Sequence, residues 1–62
     1  MLNEYRDIII HAYPEELEAS SFYSCLANTA ASPVCRALFA SAANDEYRHA
    51  QMLAALLTGT SG

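Results

Sequence analysis

One interruption dominates the sequence: Ala31-Ser32-Pro33, at mid-chain. Ser32 is suited to cap the start of a helix, and Pro33 to fill the first helical position, where its missing N–H costs nothing. The pattern on both sides is helical, over about residues 2–30, with Asn3 as a candidate cap, and over about 33–57. Residues 58–62, Thr58-Gly59-Thr60-Ser61-Gly62, read as a helix stop followed by a frayed tail. Pro14 interrupts the first segment. It takes the hydrogen-bond partner from the carbonyl of Ile10 and crowds it, so a kink or a break is expected near Tyr13. Two long helices joined by so short a turn must run back along each other. The expected fold is all-α, with residues 1–62 forming one antiparallel two-helix hairpin.

Size makes that hairpin an incomplete object. A chain of 62 residues hides only about 60% of its unfolded surface, and two amphipathic helices each leave apolar area bare. With 53% hydrophobic and 16% charged residues, the chain is nevertheless too apolar for intrinsic disorder. The charges exclude whole classes of function. Arg6, Arg36 and Arg48 are the only basic residues against seven acids, for a net charge of −4, so no basic face can neutralise nucleic-acid phosphates. No apolar run approaches a membrane span and no signal-peptide pattern opens the chain. The expectation is a soluble, cytoplasmic protein that binds neither nucleic acid nor membrane. Cys25 and Cys35 match no zinc or redox spacing, and Cys35 reads as a small buried hydrophobe.

The apolar stripes carry the functional information. On the first helix the stripe runs Tyr5, Ile9, Ala12, Glu16, Ala19, Tyr23, Leu26 and Ala30. On the second it runs Cys35, Phe39, Ala42, Glu46, His49, Leu53 and Leu56. Steps of three and four make each a bundle seam, and three members are wrong for one: Glu16, Glu46 and His49. A lone carboxylate in a seam costs several kcal/mol unless it is paired, protonated or metal-bound. In a hairpin folded about residue 32, facing positions have numbers totalling roughly 62–65. That register puts the three intruders within about one helical turn of the same height, and Glu46 and His49 share a helix face.

Two carboxylates and one imidazole do not close a metal site. Two copies paired about a two-fold axis would supply two Glu16, two Glu46 and two His49 inside a four-helix bundle, and would cover the bare apolar faces. That is the ligand set of di-iron and di-manganese bundle proteins. Oxygen-rich donors with one imidazole per metal favour iron, with manganese second, over structural zinc. The expected partner is therefore a second copy, and the expected cofactor is iron, two ions per dimer at the interface.

At these residues the sequence resembles the ferritin-like superfamily, in its rubrerythrin branch. Glu16, Ala19 and Tyr23 match a first-helix pattern Glu-x-x-Ala-x-x-x-Tyr, and Glu46, His49 and Ala50 match a second-helix pattern Glu-x-x-His-Ala. The half-length chain, with thirty residues between Glu16 and Glu46, is most similar to encapsulated ferritins, which rebuild a four-helix ferroxidase centre at a dimer interface. The resemblance covers about residues 12–57. It implies that Glu16, Glu46 and His49 are iron ligands and the catalytic residues. Tyr23 would hydrogen-bond and steady a ligand carboxylate, and Glu15 and Glu18 would attract incoming cations. It further implies oxidation of ferrous iron by dioxygen or peroxide. Unlike encapsulated ferritins, the chain is expected to lack a further helix after the hairpin. It is likewise expected to lack the cysteine-ligated iron domain of rubrerythrins, so peroxidase turnover would draw on an external electron donor. The tail 57–62 has a faint likeness to a capsid-targeting peptide. The implied location is cytoplasmic, or within a protein compartment.

Plainer readings stand beside these. The intruders could form a metal-free polar network that fixes helix pairing, or hold iron or manganese for storage without turnover. Tyr23 serves equally as a core aromatic, and Tyr5 and Tyr13 as packing residues. Glu15 and Glu18 suit a solvated face. His11 is spaced to pair with Glu15, and Asp45 with Arg48 or His49.

Overall fold

The computed structural model describes residues 2–59, with side chains from residue 5 onward. It contains two helices, α1 (Leu2–Thr29) and α2 (Pro33–Leu57), packed against each other as a hairpin, and no strand among the described residues. Asn3 lies inside α1 and does not precede it.

The reversal is built as its residue types dictate. Ser32 has extended backbone angles, and its Oγ accepts from the Cys35 N–H at 3.4 Å; Pro33 opens α2. Arg36 closes the other side, its Nε donating to the Ala30 carbonyl at 2.7 Å. One side chain of α2 thus holds the end of α1, where carbonyls lack helical partners. At the far end, Thr58 caps α2 through its N–H to the Ala54 carbonyl, and Gly59 takes the left-handed φ of +65° that favours glycine there. The rest of the tail, 60–62, and with it the end of the capsid-peptide likeness, falls outside the described residues.

Helix α1 continues through Pro14 without a break. Proline deletes one backbone hydrogen bond, while the flanking turns are anchored on α2 by Ile9, which is buried, and by Ala12, Tyr13, Glu16 and Leu17, which are half-buried.

Three rungs fix the register of the hairpin. Tyr23 stacks on Phe39 at 6.4 Å between ring centroids; the Ser20 hydroxyl donates to the Ala43 carbonyl at 2.9 Å; Glu16 faces Glu46. The buried residues are few and small: Ile9, Ala43 and Ala50. Alanine at 43 and 50 lets the helices approach closely. The molecule measures 45 × 21 × 12 Å, so its thin dimension is one helix diameter. There is a contact line in place of a two-layer core.

That geometry corrects several packing expectations. Cys35, on the stripe but near the reversal, is exposed, as are Tyr5 and Leu56. A stripe wide enough for a bundle is wider than one neighbouring helix covers, and these residues lie on its uncovered part. Ile8, Phe22, Leu38 and Met52 are each at least 60% exposed. No described helix is long and apolar enough to cross a membrane.

Candidate metal centre

Glu16 stands at the middle of α1 and Glu46 and His49 one turn apart on α2, because the register places them together. One ligand atom from each lies within 4.8 Å of the other two, and this is the only such group of three or more His, Cys, Asp or Glu among the described residues. His49 Nδ1 is 3.1 Å from Glu46 Oε1 and 3.6 Å from Glu16 Oε2. The imidazole thus sits beside both carboxylates, within hydrogen-bond distance of Glu46 and at ion-pair distance from Glu16. The carboxylates are 27% exposed and His49 is 54% exposed, so the group opens onto one broad face of the hairpin.

Electrostatics at the group are unfavourable to negative charge. Desolvation first, then the hydrogen bond and charge of Glu46, raise the Glu16 carboxyl above its ordinary range; His49 opposes them, and Glu15 adds a smaller upward push. Two carboxylates held this close favour a shared positive charge, supplied by a proton or a cation. The donor set fits a metal: two anionic oxygen ligands and one imidazole, mutually within ligand reach, with room on the exposed side.

The other site candidates fall differently. Tyr23, two turns from Glu16, stacks on Phe39 and meets Phe22 edge-on at 5.6 Å, and its hydroxyl makes no hydrogen bond to a described residue. Within one chain it is a packing aromatic. Glu15 and Glu18 are exposed, as is Asp45. His11 pairs with a backbone acceptor four residues back and not with Glu15: its Nδ1 donates to the Asp7 carbonyl at 2.7 Å.

Sequence reasoning passed over Met52. With Ala12, Glu16, His49, Leu53 and Leu56 it lines an open cleft of about 310 Å³ beside the site. Its three-residue spacing from His49 is the signal that could have found it.

The fold and the site together define an all-helical hairpin that brings a Glu–Glu–His group from its two helices together at mid-height. The sequence assigns it further: residues 7–62 match the rubrerythrin family, and the chain belongs to it. Members of that family typically bind iron. No curated protein and no solved structure matches the chain significantly.

Proposed function

We propose that two copies of this chain pair through the face bearing Glu16, Glu46 and His49 to hold two iron ions, and that the pair oxidises ferrous iron with dioxygen or peroxide. The convergence of these three side chains on one exposed, otherwise apolar face is the observation that carries the reading, together with family membership. Each copy would contribute two carboxylates and one imidazole, so four anionic charges offset two divalent cations and stabilise the oxidised state. When bound, the iron pair supplies the two electrons that dioxygen or peroxide takes up. The chain does the rest. Glu16 and Glu46 bind and space the cations, and His49 supplies an imidazole nitrogen as the third donor. The apolar side chains around the face, Ala12, Leu53 and Leu56, restrict water at the site. Tyr23 is assigned a supporting role, since its hydroxyl is available to a carboxylate of the second copy.

The test is anaerobic loading with ferrous iron, metal analysis, and stopped-flow absorbance on mixing with oxygen. The wild type is expected to hold about one iron per chain and to oxidise it faster than free ferrous ion. Glu46→Ala should do neither. Metal far below one per chain in the wild type would overturn the proposal. Metal bound without accelerated oxidation would leave storage or buffering as the function, a reading that the same donor set supports.

A further inference from the structure

Met52 has no place in the ligand set, yet among the described residues it is the sulfur nearest the site. It follows His49 by one helical turn, so the two side chains share a flank of α2. It is 60% exposed and lines the same open cleft as Glu16 and His49. The two thiols are remote: Cys25 lies about 13 Å along α1 from Glu16, and Cys35 about 16 Å along α2 from Glu46. A thioether is oxidised by peroxide without prior deprotonation, whereas a thiol reacts as thiolate.

We infer that Met52 is an oxidation target of the site itself, consuming hydrogen peroxide formed there before it escapes. The inference rests on the proposed iron oxidation. Two ferrous ions give one electron each to dioxygen, which takes up two protons and leaves as hydrogen peroxide. The Met52 sulfur then attacks one peroxide oxygen. An S–O bond forms, the O–O bond breaks, and the second oxygen departs with both protons as water. Sulfur loses two electrons, peroxide gains them, and the product is methionine sulfoxide. Proximity, not intrinsic reactivity, sets the selectivity: an unlinked methionine is as nucleophilic but never reaches a comparable local concentration.

The chain loaded with ferrous iron is exposed to air with catalase in solution and an equimolar free methionine-containing peptide, and sulfoxide is read by peptide mass spectrometry. Catalase removes peroxide that has escaped but not peroxide consumed where it forms. Met52 is expected to gain oxygen to an extent at least about tenfold above the free peptide, as befits an intramolecular reaction. In Glu46→Ala it should fall to the level of the peptide. If the wild type oxidises iron but Met52 gains no more oxygen than the peptide, or if Glu46→Ala retains the excess, the inference fails while the iron chemistry stands. If the wild type oxidises no iron, both fail together.

Discussion

Glu16 is where the chain departs furthest from what a helical seam tolerates. Its carboxyl is raised by desolvation and by Glu46, so the folded chain binds that proton more tightly than the unfolded chain does. Such a group stabilises the fold fully below its unfolded value, and the contribution is lost as pH rises through the raised folded value. Chelator-treated protein should therefore melt at a higher temperature in mildly acidic buffer than at neutral pH. Glu16→Gln, which cannot ionise, should flatten the difference in thermal scans by circular dichroism. Metal binding should run the opposite way with pH, since protons compete for the same oxygens. Loss of a single ligand in Glu46→Gln should weaken metal affinity by at least about 10–100-fold, the range seen even for outer partners of ligands, measured by competition with a chelator. The convergence of Glu16, Glu46 and His49 was legible in sequence because a charge on an apolar stripe has few explanations and the hairpin register is rigid. The roles of His11 and Tyr23 were not. A carbonyl acceptor at Asp7 and a ring partner at Phe39 depend on rotamers, which spacing alone does not determine.

At the scale of elements, helix length and the position of the reversal follow from a few residues, and the structure allows each to be weighed. Ser32, Pro33 and the two periodic segments were enough to locate α1, α2 and their register. Continuity of α1 at Pro14 was not readable, because the loss of one hydrogen bond competes with the packing of α1's own side chains, such as the buried Ile9, against the second helix. Pro14→Ala restores the bond to the Ile10 carbonyl and relieves the ring's crowding. It should stabilise the folded protein by up to about 3 kcal/mol, seen as a higher denaturant midpoint. Arg36→Ala should act in the opposite sense. It frees the Ala30 carbonyl that Arg36 holds at 2.7 Å, and a hydrogen bond of this kind on an exposed turn is worth about 1 kcal/mol. Neither change touches Glu16, Glu46 or His49, the proposed ligands, so metal stoichiometry should be unaltered in both variants.

The whole molecule argues from its surface. The chain exposes 4692 Å², where a compact monomer of its mass would expose about 3,900 Å². Large apolar side chains contribute to it, on helices that form a single layer 12 Å thick. Ile8, Phe22, Leu38, Met52 and Leu56 are among them, and the cleft beside Glu16 and His49 is lined by Met52 and Leu56. In the proposed pairing, metal binding and association are linked. Apposing two copies brings four carboxylates together, which opposes pairing without cations, whereas bound cations favour the paired state by their differential affinity for it. Sedimentation should show chelated protein shifted toward monomer and ferrous or manganous ion restoring the dimer, with a midpoint that depends on protein concentration. Leu38→Glu tests the same coupling from the apolar side. Leu38 lies two turns from Glu46, too far to ligate, and is 63% exposed in the hairpin, so the lone chain loses little by the change. Burying an unpaired carboxylate in a paired face costs several kcal/mol. The variant should stay helical by circular dichroism, remain monomeric at concentrations where the wild type pairs, and lose most of its metal affinity although its three ligands are intact. Full metal binding by a monomeric Leu38→Glu chain would mean that one hairpin suffices to hold the cation, and that the second copy has no part in the site.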